Sequence, residues 1–157
     1  MKSIRLFFAL LVACFLACNS ATDYDIAESP KENQINVNGV TFTLSLPRSI
    51  FKSTERLEGR FTVSNGTSTL AIYNFANMQQ LGFEFVNASD IVVLSKPDIA
   101  SPALSSLRLA PGKCKEYPLE TTFTNYDGVR IQLGKYILKA YLLDNNSPKV
   151  PVRITIK

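Results

Sequence analysis

The chain has no histidine among its 157 residues, and this absence removes several kinds of site. Nucleophile pairs of the Ser–His and Cys–His types need an imidazole, as do histidine-ligated metals. Carboxylates alone can also catalyse, but Glu116 and Glu120 lie four residues apart on a predicted strand, about 13 Å by strand rise. This spacing does not suit a glycosidase pair. An oxygen-ligand cation site survives the absence of histidine, but the sequence contains no EF-hand loop. We expect no enzyme activity, no metal and no cofactor.

Clustered positive charge is also missing. The net charge is +4, and Lys2 and Arg5 belong to an N-terminal segment that we expect to be removed, which leaves 4 − 2 = +2. No run of lysine and arginine and no basic face with interleaved aromatic residues is present. The sequence therefore gives no indication of a nucleic-acid partner.

Long apolar runs are limited to the N-terminus. Lys2 and Arg5 precede the ten-residue apolar stretch Leu6–Phe15, which has the length of a signal-peptide core and is too short to span a bilayer. No later segment reaches the roughly 18 apolar residues of a membrane helix. We predict a signal peptide over residues 1–17.

The sequence Phe15-Leu16-Ala17-Cys18 resembles the lipobox of bacterial lipoproteins. The resemblance implies that Cys18 receives a diacylglyceryl group and becomes the mature N-terminus. Leu11-Val12-Ala13-Cys14 is an alternative lipobox, and a plain cleaved signal peptide is a second alternative. In a bacterium with two membranes, Asn19 in place of aspartate implies the outer membrane. The partner is then the membrane itself, through the lipid anchor.

The next stretch, residues 18–38, is polar and lacks apolar periodicity, so we predict a lipidated N-terminus followed by a flexible tether. After cleavage at Cys18, Cys114 is the remaining unmodified cysteine of the three in the chain, which excludes an internal disulfide in the mature chain. We expect Cys114 to be an ordinary strand residue. The folded domain is predicted to cover residues 39–157.

From Val40 onward, apolar residues alternate with polar residues, the pattern of strands with one buried face. We predict an all-β, immunoglobulin-like antiparallel β-sandwich of about seven or eight strands. Tyr136 begins the penultimate strand, and either a tyrosine corner or an ordinary core tyrosine fits that position. The predicted strands cover, in number ranges, 40–46, 57–64, 70–75, 81–86, 91–94, 116–123, 135–142 and 150–157.

Four landmarks recur along the stretch Leu57–Lys157, namely Phe61–Thr67, Leu81–Val86, Leu109–Lys113 and Leu133–Tyr136. By these landmarks the stretch resembles the BsuPI-type intracellular proteinase inhibitor domain. The resemblance implies a small β-sandwich and the activity of a proteinase inhibitor, although no reactive-site motif of that family maps onto numbered positions here.

Two connections are candidates for binding an unidentified protein partner, a protease being one candidate. The first is Lys96–Leu107, with Pro97, Pro102 and Leu104, for which a solvated crossover between sheets is the alternative. The second is Thr124–Gln132, with Tyr126 and Arg130. We expect the domain to be a non-enzymatic binding or scaffold module in the cell envelope, with proteinase inhibition as the alternative.

Three Asn-x-Ser/Thr sequons begin at Asn65, Asn87 and Asn145. Because the N-terminus is of bacterial type, we interpret these residues as turn formers and not as glycosylation sites.

Overall fold

The computed structural model describes residues 30–98 and 102–157, and its regular elements are all strands. The predicted all-β sandwich is therefore confirmed. The described residues form eleven strands, against the seven or eight expected: β1 Lys31–Val37, β2 Val40–Leu46, β3 Ile50–Phe51, β4 Arg56–Asn65, β5 Ala71–Phe75, β6 Leu81–Val86, β7 Val92–Lys96, β8 Ser105–Leu109, β9 Cys114–Thr122, β10 Gly134–Leu142 and β11 Val150–Ile156.

The strands form three sheets. The four-stranded sheet has the order β1-β2-β4-β9, the five-stranded sheet has the order β3-β11-β10-β6-β7, and β5 pairs with β8. All neighbouring strands are antiparallel except β3 and β11, which are parallel through Ile50 and Phe51. The first two sheets pack their apolar faces together, as the alternation requires.

The core consists of the inward-facing residues of the predicted alternation. Phe85 lies between the sheets with its ring centroid 6.0 Å from that of Phe123, which is 5.9 Å from that of Phe51. Fully burying one such side chain stabilises the fold by about 1.5–3 kcal/mol. Among the described residues, those of this core lie between Val40 and Ile156. A chain that starts at residue 18 therefore retains every described core residue.

Strand register defines two ends of the sandwich. β4 runs from Arg56, opposite Thr122, to Asn65, opposite Val40. One end of the sandwich contains Asn65, the turn at residues 110–113 and the end of β10, and we call it the Asn65 end. The other end, with residues 123–133 and the start of β10, is the Tyr126 end.

The first strand corrects the predicted tether. Lys31–Val37 pairs with β2 along its whole length, and the Asn33 side chain donates a hydrogen bond to the carbonyl oxygen of Pro151 at 2.8 Å. β1 is an edge strand with few buried residues, so it lacks the apolar alternation of the other strands. Cys14, Cys18 and the predicted signal peptide lie outside the described residues.

Candidate partner-binding surfaces

The first candidate connection is shorter than predicted. Lys96 ends β7, and Ser105–Leu107 belongs to β8, so the connection proper covers residues 97–104. Strand β8 was missed because Ser105 and Ser106 resemble the serine-rich loop before them. The connection leads from the five-stranded sheet to the two-stranded sheet, as the crossover interpretation predicted.

Exposure differs sharply among the candidate residues of this connection. Pro97 is half-buried after a cis peptide bond, and Lys96 forms an ion pair with Asp98 beside it. Pro102 is exposed, and Leu104 has 90% of its surface exposed. A leucine this exposed adds nothing to the core and is available to a partner. The connection is therefore both a crossover and a displayed apolar segment.

The second candidate connection is a closed turn. The backbone NH of Asn125 donates to the carbonyl oxygen of Val129 at 2.9 Å, and the NH of Val129 donates to Asn125 Oδ1 at 2.8 Å. Gly128 supplies the left-handed backbone that the turn needs, with φ of 77°. The buried residues Phe123 and Ile131 join the two arms of the turn through a backbone bond of 2.9 Å.

The closed turn holds apolar side chains in water. Tyr126 is 69% exposed and Val129 is 60% exposed, and Arg130 beside them is exposed as well. Leu133, two residues before Lys135, is 65% exposed. Sequence reasoning selected Tyr126 and Arg130 but missed Val129 and Leu133. Their position close to the Asp127-Gly128 turn was the signal that could have identified them as exposed apolar residues.

The two candidate connections do not form one surface. Residues 97–104 follow Lys96, which pairs with Phe83, itself opposite Ala140 near the end of β10. Residues 124–132 precede Gly134 at the start of β10. The six residues from Gly134 to Ala140 span about 20 Å. Pro97, Pro102 and Leu104 thus lie towards the Asn65 end, and Tyr126 and Arg130 lie at the opposite end.

A groove of about 950 Å³ runs between β1 and the outer face of the five-stranded sheet, and it reaches the 87–90 turn. Lys31, Lys135 and Arg153 line it, and none of the three forms an ion pair with a described residue. Two carboxylates also line it: Glu32 accepts a hydrogen bond from Ser45 Oγ, and Asp90 lies 3.8 Å from Lys139 Nζ. Three cations and two carboxylates give the lining a net charge of 3 − 2 = +1.

Tyr136 forms the tyrosine corner that the sequence left open. Its hydroxyl donates to the carbonyl oxygen of Gln132 at 2.7 Å, four residues upstream, while its ring lies in the core. Burial raises the pKa of its phenol. This bond ties the loop after β9 to the start of β10.

Polar side chains that are half-buried or buried hold other parts of the fold. The Tyr117 hydroxyl donates to Gln80 Oε1 at 2.7 Å, and burial raises its pKa to about 12. Glu84, 7% exposed, accepts two hydrogen bonds from Lys149 Nζ at 2.9 and 2.8 Å. The bond to Glu84 is the main cause that raises the pKa of Lys149. Both sets of contacts are satisfied within the fold and leave no polar group directed at a ligand.

Two of the three sequon asparagines, Asn65 and Asn87, behave as turn formers. Asn65 is fully buried, and its amide donates to the carbonyl oxygens of Thr69 and Leu109, each at 2.8 Å. Its Oδ1 accepts from the NH and the hydroxyl of Thr67. Asn87 Oδ1 accepts two backbone bonds within its own turn. At the third sequon the turn is held by Asp144 and not by Asn145.

The remaining chemical candidates have structural roles. Two ion pairs join the neighbouring strands β9 and β4. Glu116 lies 3.5 Å from Arg60, and Glu120 lies 3.6 Å from Arg56. Cys114 is an exposed, free thiol in β9, the strand residue that we expected. Within residues 30–98 and 102–157, no three potential ligands among cysteine, aspartate and glutamate come together as a metal site. The same part of the chain has no helix of the length and hydropathy needed to cross a membrane.

Comparison with known proteins leaves the family open. No family model matches the chain, and no curated protein matches it. Among solved structures, a β-glucosidase from Erythrobacter marinus is similar over 82% of this chain, with 16% identity and a TM-score of 0.46. An alkylpurine DNA glycosylase from Pseudomonas fluorescens is similar over 69%, with 9% identity and a TM-score of 0.45. The chain spans 15% of the first protein and 27% of the second.

Proposed function

We propose that this chain is a lipid-anchored protein of the bacterial cell envelope, in which the β-sandwich is a non-enzymatic module that binds another protein or acts as a scaffold. The anchor is Cys18, and in a bacterium with two membranes Asn19 directs the protein to the outer membrane. The resemblance to the BsuPI-type domain belongs to the same proposal.

Position in the fold supports the binding role. Pro30, the first described residue, directly precedes Lys31, which pairs with Leu46 away from the Asn65 end. The chain from Cys18 therefore enters the sandwich at the Tyr126 end. Pro102 and Leu104 lie in the other part of the molecule, and Leu104 is 90% exposed. This exposed leucine, distant from the anchored end, is the observation that carries the binding proposal.

The anchor is tested by labelling cells with a fatty acid. We expect the wild-type chain and Cys14→Ala to be labelled and Cys18→Ala to lose the label. Labelled Cys18→Ala would move the anchor to Cys14, and an unlabelled wild-type chain would contradict the lipoprotein proposal.

The binding surface is tested with a photoreactive amino acid placed at Leu104 in the envelope. A matched control carries the same amino acid at Glu120, which is exposed on the outer face of β9. We expect a cross-linked protein partner from position 104 and none from position 120. Equal cross-linking from both positions would contradict a specific surface at Leu104.

The alternative function is proteinase inhibition through the same connection. Pro102 and Leu104 are exposed and lie outside any strand, which suits insertion into a protease cleft as extended chain. A chain of residues 18–157 is assayed against serine, cysteine and metalloproteases. Stoichiometric inhibition that is lost in Leu104→Asp would support this function, whereas inhibition unchanged in that variant would exclude the connection as the reactive segment.

A further inference from the structure

The Tyr126 end combines exposed apolar side chains with cations. Tyr126, Val129 and Leu133 are 69%, 60% and 65% exposed. Arg130 and Lys135 lie next to them in sequence, and neither forms an ion pair with a described residue. The turn at residues 125–129 is closed by backbone and side-chain hydrogen bonds, and this ordered turn keeps the apolar side chains exposed to solvent.

Positive charge extends from this end along the adjoining groove. Lys31 and Arg153 line the groove together with Lys135, so the lining carries three cations against the two carboxylates of Glu32 and Asp90. Asp127 is the single carboxylate in the segment 124–135. Apolar side chains beside cations are the composition of surfaces that enter the interface of anionic bilayers.

The chain preceding the sandwich reaches the same end. Cys18 is twelve residues before Pro30, which limits the distance between them to about 40 Å. An acyl group on Cys18 would therefore keep the Tyr126 end close to the bilayer. Confinement of this kind raises the effective concentration of the lipid surface, so a contact that is weak in free solution suffices.

We propose that the Tyr126 end docks onto an anionic phospholipid surface, with Tyr126, Val129 and Leu133 in the interface and Arg130 and Lys135 against lipid phosphates. This proposal rests on the lipid anchor of the proposed function. Docking fixes the orientation of the sandwich, so that the Asn65 end and Leu104 face away from the membrane. The exposed apolar side chains of the two ends then serve different partners, lipid at one end and protein at the other.

The test uses the absence of tryptophan from the sequence. Residues 18–157 carrying Cys114→Ser are coupled through the Cys18 thiol to a maleimide lipid, in vesicles of phosphatidylcholine and phosphatidylglycerol with brominated acyl chains. One protein carries Tyr126→Trp, and a matched control carries Leu104→Trp. We expect the brominated chains to quench the fluorescence of the first and to leave that of the second unchanged. Equal quenching, or none at position 126, overturns the proposal.

Charge reversal gives an independent measurement on free protein. Arg130→Glu with Lys135→Glu is compared with Arg108→Glu and Lys113→Glu, which change the net charge equally near the Asn65 end. We expect the first pair to weaken binding to the anionic vesicles about tenfold or more and the second pair to have little effect. Equal losses would indicate attraction by net charge alone and overturn the proposal. The quenching experiment uses chemical coupling and the charge-reversal experiment uses free protein, so both results are independent of whether cells acylate Cys18.

Discussion

The two ends of the sandwich hold their turns by different means. At the Asn65 end, the fully buried side chain of Asn65 bonds three other residues, namely Thr67, Thr69 and Leu109. The backbone of Asn65 bonds Lys113 and Gly112. At the Tyr126 end, each turn is held mainly by bonds within itself, as in Asn87–Ile91 and Asn125–Val129. The Asn65 end is thus tied to the core, whereas the turns of the Tyr126 end can present side chains without a large effect on the fold.

Asn65→Ala should have the largest effect on stability. The variant loses four side-chain hydrogen bonds, among them the buried bond to the carbonyl oxygen of Leu109, so we expect the free energy of unfolding to fall by about 3 kcal/mol. Asn87→Ala is the matched control, because Asn87 also closes a turn but is only half-buried, and about 1 kcal/mol is expected there. Urea unfolding followed by circular dichroism measures both. Equal losses would contradict the difference between the ends.

Lys149→Ala should have the next largest effect. It leaves the carboxylate of Glu84, whose side chain is 9% exposed, without its partner. Because Lys149 itself is half-exposed, we expect a loss of about 1–2 kcal/mol rather than that of a fully buried pair. Lys135→Ala, on the same outer sheet face near the Tyr126 end, should change stability by less than about 0.5 kcal/mol. A similar loss in both variants would indicate a general effect of charge on that face.

Alkaline pH should destabilise the fold through its buried phenols. The pKa of Tyr117 is raised to about 12, so the folded state favours the neutral phenol. Its contribution is complete below the unfolded pKa of about 10 and is lost as pH rises from there through about 12. The raised pKa of Lys149 acts in the same direction. We expect the melting temperature to fall above pH 10, and to fall less steeply in Tyr117→Phe. An equally steep fall in that variant would exclude Tyr117 as a cause.

The sequence predicted the strands in which burial alternates. In β2, for example, Phe42 and Leu44 are buried, and Thr41 and Thr43 are only half-buried. The alternation failed where an element has no single buried face. β1 is an edge strand that is largely exposed, so its sequence lacks apolar alternation and was interpreted as a tether. In β6 the outward-facing Glu84 is buried as well, because Lys149 and Tyr141 cover it through contacts distant in sequence.

The candidate site was predictable in its loops but not in its geometry. Tyr126 and Leu104 were recognisable as exposed loop residues from their turn and proline contexts. Their separation depends on the register of β10 against β6 and β11, which no local pattern encodes. The groove depends on β1 lying beside β11. This contact could not be predicted, because residues 18–38 were interpreted as a tether and not as a strand.

The smallest effect on stability is expected at the side chains most exposed for binding. Val129→Ser and Leu133→Ser remove apolar surface that already lies in water, so each should change the free energy of unfolding by less than about 0.5 kcal/mol. Tyr136→Phe, at the same end, removes a buried hydroxyl bond to Gln132 and should cost about 1 kcal/mol. Urea unfolding of the three variants measures the contrast. A loss at Val129 or Leu133 as large as that at Tyr136 would mean that these side chains support the fold. If both are neutral, the fold does not require apolar residues at these positions, and their presence is better explained by contact with a partner surface.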